Sequence, residues 1–222
     1  MTEPSARPTR VRPLTVGAAV VAVLLLGAAL GMFLTQRALN SAERAVPGDG
    51  SVEVGFAQDM SVHHLQAVTM ANWARDHSTD QQVRQLAFDI QSTQQEQVGR
   101  MKGWLMLWGQ PEQTPGAYMT WMREPAGHGM AGMQAAGDAP MPGMATNAEL
   151  AKLRSLSGAE LDVYFLQLML RHHQGGAGMA QYAHDHTSVA AVKTLTQSML
   201  DSQGAEMVLM KQMLTARNAQ PL

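Results

Sequence analysis

Apolar residues near the start of the chain form one unbroken run. Residues 14–35 read LTVGAAVVAVLLLGAALGMFLT and contain no charged side chain. At a rise of about 1.5 Å per residue, a helix of this length crosses a hydrocarbon layer of about 30 Å. The run therefore predicts a transmembrane anchor, and a cleaved signal peptide is the alternative interpretation.

Positive charge is concentrated before this run. One arginine, Arg37, follows it closely, whereas three precede it: Arg7, Arg10 and Arg12. Under the positive-inside rule this asymmetry predicts a cytoplasmic tail at residues 1–13 and places the rest of the chain outside the cytoplasm. Residues 36–52 are polar and contain Pro47, Gly48 and Gly50 near their end, which is typical of a linker.

Beyond the linker, apolar positions recur with the period of an α-helix. The pattern predicts two helical hairpins, at residues 53–109 and 147–217, with a connection at residues 110–146 that is rich in Met, Pro and Gly. A short helix is expected at residues 147–155. Capping signals predict the starts of the other helices, namely Ser78 or Thr79, then Ser157 with Glu160, then Thr187 or Ser188.

The two hairpins repeat each other at an offset of 109 residues. FAQDMSVHHLQAVTMA at residues 56–71 falls on FLQLMLRHHQGGAGMA at residues 165–180. The same offset takes the Asp-His pair ending at His77 to the pair ending at His186. Two hairpins joined by a long connection predict an all-α protein with a ferritin-like four-helix bundle.

The repeated helices carry histidine and methionine on one face. Steps of four and three residues place His63 and His172 on the buried seam, with His64 and His173 at its margin. The small residues Ala67 and Gly176 are expected to meet at a pseudo-twofold axis. The methionines on the same stripe are Met60, Met70, Met169 and Met179.

The composition indicates which metal this face of the helices would bind. The chain has 18 methionines and no cysteine, so soft-metal binding would use thioether sulfur and imidazole nitrogen. Such ligands favour copper, and Cu(I) over Cu(II). The chain contains no E-x-x-H motif, which argues against a di-iron site. A net charge of -2 gives no reason to expect nucleic acid as a partner.

Distances along a helix limit which residues share an ion. Residues seven apart are separated by about 10.5 Å along the axis, so His63 and Met70 cannot bind the same ion. We predict two equivalent sites, and a single site on the axis is the alternative. The first site comprises Met60, Met179 and either His63 or His64, and the second comprises Met70, Met169 and either His172 or His173.

Several further residues have two interpretations. His77 and His186 are expected to stabilise the carbonyl groups at helix C-termini, with a secondary metal site as the alternative. Glu206 is either a partner that orients an imidazole ring or a polar core residue. The Met-rich connection is either a copper-capturing arm or a linker that folds over the bundle, and its candidate ligands include His128, Met130 and Met133.

The two 16-residue segments quoted above resemble the signature segments of the domain of unknown function family 305. The resemblance covers residues 53–217. It implies a ferritin-like, His/Met-rich bundle that is often secreted or membrane-anchored, and it implies copper binding in some members but no established reaction. One departure is the glycine-rich GGAG in the second segment, since glycine weakens a helix by about 1 kcal/mol relative to alanine.

Together these features predict an extracytoplasmic, membrane-anchored protein that binds copper ions and buffers or transfers them, with other copper-handling envelope proteins as candidate partners. No nucleophile–base pair, phosphate-binding loop or dinucleotide motif is visible, so an enzymatic role is not the first expectation. Two alternatives remain, namely a metal-dependent oxidoreductase of the ferritin-like class and a structural bundle whose buried histidines sense pH.

Overall fold

A computed structural model of the chain describes residues 13–42, 46–122 and 137–222. These residues belong to two compact units, Met1–Val46 and Pro47–Leu222. The predicted secondary ligands His128, Met130 and Met133 lie outside the described residues, as does most of the predicted cytoplasmic tail.

The first unit contains one long apolar helix, α1, at Pro13–Ala42. Its segment Val16–Arg37 has a mean hydropathy of 2.5 and is long and apolar enough to cross a membrane. A membrane anchor and a signal sequence both have these properties. The helix continues past the predicted anchor into the expected linker, because residues 36–42 (QRALNSA) consist mostly of good or neutral helix formers.

The second unit is a helical bundle. Its helices are α2 at Val52–His77, α3 at Gln81–Leu107, α4 at Asn147–Ser155, α5 at Gly158–His186 and α6 at Ala190–Ala216. Helix α2 packs along α3, α5 packs along α6, and α2 packs against α5. The described residues contain no strand, which confirms the all-α prediction. The short helix α4 has the predicted bounds.

The helix starts differ from those predicted from the capping residues in the sequence. Asp80, not Ser78 or Thr79, caps α3, and its carboxylate accepts a hydrogen bond from Gln82 N at 2.8 Å. The Ser78 hydroxyl accepts from Asp80 N instead. An aspartate directly before the first helical residue therefore outcompetes the hydroxyls that precede it.

The capping box predicted at the start of α5 is absent, because Ser157 makes no capping hydrogen bond. Gly158 follows it with a φ of +56°, a conformation that favours glycine. A capping box occurs on α4 instead, between Thr146 and Glu149. Val189 occupies the N-cap of α6, and the hydroxyl of Thr187 accepts from its backbone amide.

The bundle core consists of two apolar clusters. One contains Met70 and Met169 together with Phe165. The other contains Met60 and Met179, and part of the connection packs into it. The connection residues buried there are Trp121, Met122, Ala139, Met141 and Met144. The described part of the connection therefore folds over the bundle.

Candidate metal centre

Two histidines meet where α2 and α5 cross. The ring centroids of His63 and His172 lie 3.8 Å apart at an interplanar angle of 40°. Each residue is 1% exposed. The seam predicted from the heptad spacing therefore brings these two rings into direct contact.

Backbone carbonyls determine which nitrogen of each of these rings carries the proton. His63 Nε2 lies 3.1 Å from Pro142 O, and His172 Nε2 lies 3.0 Å from His63 O. A carbonyl oxygen only accepts, so Nε2 must donate in both rings. In a neutral imidazole the other nitrogen, Nδ1, then carries a free lone pair, which is the form that binds a metal ion.

The second histidine of each pair contacts the neighbouring helix of its own hairpin. His64 Nε2 lies 2.8 Å from Gln97 Oε1, and His173 Nε2 lies 2.7 Å from Glu206 Oε2. Both contacts span 33 residues, and the two residue pairs are related by the sequence repeat. Glu206 thus occupies the position expected of a residue that orients an imidazole ring.

Three ring nitrogens at this centre have no hydrogen-bond partner. These are the Nδ1 atoms of His63, His64 and His173, all buried and unpaired among the described residues. A buried polar atom nearly always has a partner, and leaving one unpaired costs about 1–3 kcal/mol. These atoms are therefore candidates for binding a group from outside the chain.

Burial keeps the rings of His63, His64 and His172 neutral. It lowers the pKa of His63 from 6.5 to about 4 and that of His64 from 6.5 to about 3. Burial is also the main reason why the pKa of His172 lies well below 6.5, and the nearby rings lower it further. Near neutral pH these three imidazoles can donate lone pairs without first losing a proton.

The four predicted methionine ligands are fully buried. Met60 and Met179 share one apolar cluster, and Met70 and Met169 share the other. None is more than 1% exposed. Each methionine pair that was assigned to one predicted site therefore lies within one cluster.

The surroundings of Gly176 include residues that the sequence did not indicate. We expected Gly176 to meet Ala67, and the atoms nearest to a Cβ at this position belong to His63 and Gln203. A Cβ atom at residue 176 would lie 3.1 Å from His63 Cε1 and 3.4 Å from His63 Nδ1. The Gln203 Oε1 atom would lie 3.2 Å from the same Cβ, so glycine at residue 176 leaves room for both side chains.

The neighbouring glycine has a different role. A Cβ atom at Gly175 would overlap the backbone of Pro142 and lie 2.8 Å from Gly143 N. The connection therefore lies directly on α5 at this point, and the same Pro142 carbonyl accepts from His63. Helix α5 continues through the glycine-rich segment, and close approach of the connection accounts for glycine at residue 175.

Sequence reasoning missed three residues near the centre. Pro142 supplies the carbonyl that orients His63, and only its place in the connection could have suggested it. Gln94 and Gln203 are buried with unpaired side-chain atoms among the described residues. These glutamines are related by the repeat offset, and a glutamine that recurs at the same position of both halves was a usable signal.

The histidines at the helix ends lie apart from this group. His77 Nδ1 lies 2.9 Å from Trp73 O, and His186 Nδ1 lies 2.8 Å from Tyr182 O. Each ring also stacks on the aromatic residue whose carbonyl it contacts. This is the predicted interaction with helix C-terminal carbonyls.

Within the described ranges, no three His, Asp or Glu side chains come together in a group that could hold a metal ion. A site at this centre would therefore combine imidazole nitrogen with methionine sulfur. Buried imidazoles with an unpaired nitrogen and buried methionines both occur in this bundle.

Comparison with known proteins agrees with the resemblance noted in the sequence. The family described as "Domain of unknown function (DUF305)" matches residues 53–214. No protein with a curated description matches the chain.

Solved structures of similar proteins include a DUF305 protein from Streptomyces coelicolor, described as a predicted secreted protein. It is 43% identical, with a TM-score of 0.69, over 79% of this chain and 99% of that one. A DUF305 fragment from Deinococcus radiodurans is 33% identical, with a TM-score of 0.59, over 74% of this chain and 96% of the fragment.

A third similar structure is that of CopM in a Cu(II)-bound form. It is 26% identical, with a TM-score of 0.56, over 74% of this chain and 96% of CopM. CopM has also been solved with Cu(I), at 24% identity to this chain, a level at which the likeness shows the fold alone.

Proposed function

The chain belongs to the DUF305 family, and we propose that it is a membrane-anchored, extracytoplasmic copper-binding protein that buffers or transfers copper. The ion is the cargo of the bundle and is bound by histidine nitrogen and methionine sulfur. The bound copper of CopM, a protein of the same fold and 26% identity, supports the choice of metal.

One observation carries this proposal. The Nδ1 atoms of His63, His64 and His173 are buried, unpaired within the described residues and directed away from the groups that hold Nε2. Buried imidazoles that only stabilised the core would be expected to use both nitrogens. A soft cation satisfies such lone pairs without requiring a proton.

We assign the ligands to two sites. The first contains Met60, Met179 and either His63 or His64. The second contains Met70, Met169 and either His172 or His173. The shared clusters of each methionine pair support this grouping. Two thioethers and one imidazole form a soft ligand set, which favours Cu(I) over Cu(II).

The location is proposed from the N-terminal segment. The span Val16–Arg37 is suited to crossing a bilayer, and the arginines before it favour a cytoplasmic N-terminus. A bundle outside the cytoplasm would meet copper before the ion enters the cell. Other copper-handling envelope proteins would then receive or supply the ion.

Copper titration of the detergent-solubilised full chain tests the binding. We expect two Cu(I) ions per chain and loss of both in a variant in which His63, His64, His172 and His173 are all replaced by alanine. The double variant His77→Gln, His186→Gln is the control and should retain both ions, because these rings contact helix carbonyls. A folded four-alanine variant that keeps its full copper load would contradict the proposal.

The absence of cysteine from the chain makes the orientation directly measurable. A single cysteine introduced at Asn218 should react with a membrane-impermeant thiol reagent on intact cells or protoplasts. A cysteine introduced at Ser5 should react only after the membrane is permeabilised. The reverse pattern, or release of the bundle without residues 1–35, would contradict an uncleaved anchor with a cytoplasmic N-terminus.

A further inference from the structure

The two halves of the histidine centre are related by the sequence repeat but differ in charge. His64 contacts the side-chain oxygen of Gln97, which is neutral. His173, at the corresponding position, contacts the carboxylate of Glu206. The side chain of Glu206 is 17% exposed and that of His173 is 0% exposed, so this negative charge lies in a largely buried environment.

A carboxylate that is hydrogen-bonded to one nitrogen of an imidazole ring changes the basicity of the other nitrogen. The negative charge polarises the ring through its Nε2–H bond, which raises the basicity of the lone pair on Nδ1. An amide oxygen does the same more weakly, because it carries only a partial charge. Both Nδ1 atoms are unpaired within the described residues. The difference in basicity would therefore change the affinity of each Nδ1 atom for a bound cation.

No Lys or Arg among the described residues forms an ion pair with this carboxylate. The contact that the structure gives Glu206 is the one with His173 Nε2. The other ion pairs of the bundle involve different acidic residues, namely Asp76, Asp80, Glu96, Glu112 and Glu149. The charge of Glu206 therefore remains available to attract a cation held by His173.

We propose that the two halves of the centre bind copper unequally, with Glu206 making the half that contains His173 the tighter site for Cu(II). This inference rests on the proposed function. The added attraction acts on the whole charge of the ion, so it is larger for Cu(II) than for Cu(I). The half that contains His64 and Gln97 has no such charge and discriminates less between the two oxidation states.

The test is a pair of reciprocal substitutions in the full chain, Glu206→Gln and Gln97→Glu, with affinities measured by competition against chelators for each oxidation state. In the unchanged chain we expect two classes of Cu(II) site whose affinities differ about 10- to 100-fold, the usual effect of an outer hydrogen-bond partner. The corresponding difference for Cu(I) should be smaller.

Glu206→Gln should weaken only the tighter Cu(II) class and merge it with the other. Gln97→Glu should strengthen only the weaker class, which keeps the test valid if the first variant does not fold. Electron paramagnetic resonance should show two Cu(II) environments in the unchanged chain and one in each variant. Circular dichroism checks that both variants keep their helices.

Several results would overturn the inference. These are one class of Cu(II) site in the unchanged chain, a single ion per chain, or a Glu206→Gln variant whose two classes keep their original ratio. Each of these results leaves copper binding itself intact. Absence of any copper binding by the unchanged chain would instead overturn the proposed function, so the two failures are distinguishable.

Discussion

The contact between Gly175 and the connection makes a quantitative prediction about Gly175→Ala. A methyl group at this position would overlap the backbone of Pro142 and lie 2.8 Å from Gly143 N, so the connection must move. Overpacking of this kind costs about 1–3 kcal/mol. The movement also takes Pro142 O away from His63 Nε2, which leaves a buried donor unpaired at a cost of about 1–3 kcal/mol.

Alanine recovers part of this loss, because it is a better helix former than glycine by about 0.5–1 kcal/mol. The net expectation is a loss of about 3 kcal/mol in the free energy of unfolding. In a domain of this size the melting temperature should fall by about 6–12 °C. Thermal and urea denaturation of the metal-free protein, followed by far-ultraviolet circular dichroism, would measure it.

The matched control is Gly204→Ala on α6. No atom lies within 4 Å of a Cβ placed there, so this substitution should leave stability unchanged or raise it by up to about 1 kcal/mol. If Gly175→Ala proved as stable as Gly204→Ala, the connection would not lie against α5 as described. The account of how His63 is oriented would then fail as well.

Two further predictions concern the centre itself. Replacing Met60 and Met179 together by leucine should keep the packing volume, changing stability by less than about 1.5 kcal/mol for each substitution, but should abolish one of two copper sites in a titration. Met101→Leu, at another fully buried methionine, should leave copper binding unchanged, and equal losses in both variants would argue for packing alone. The metal-free protein should lose stability as pH falls from about 6.5 to about 4. Over that range the unfolded chain protonates His63 and His64 whereas the folded chain does not, because their folded pKa values are about 4 and about 3. Melting temperatures that stay constant across this range would contradict the neutral, buried state of these rings.

The sequence predicted the architecture because both of its main signals are periodic. The uncharged run at residues 14–35 and the helical repeat from residue 53 onward depend on hydrophobic spacing, which burial enforces strongly. The seam position of His63 and His172 followed from the same spacing. The paired contacts of His64 with Gln97 and of His173 with Glu206 lie 33 residues apart in both halves, so the repeat also pointed to Glu206.

Local and long-range details were less predictable. Competition between neighbouring polar residues decided the cap of α3, where the Asp80 carboxylate displaced two hydroxyls. The role of Gly175 depends on a contact with Gly143 and Pro142, more than thirty residues away in an irregular segment without periodicity. The nearest neighbours of Gly176, the His63 ring and the Gln203 side chain, were also not predicted, because they depend on how side chains from two other helices pack around it.

The most direct test of the central claim is X-ray absorption spectroscopy at the copper edge on the Cu(I)-loaded full chain. We predict that both nitrogen and sulfur are bonded directly to the ion. The sulfur contribution should decrease in the variant with Met60→Leu and Met179→Leu, and the nitrogen contribution should decrease when His63 and His64 are both replaced by alanine. A coordination sphere of nitrogen and oxygen alone, unchanged by these substitutions, would contradict copper binding at the buried histidine centre.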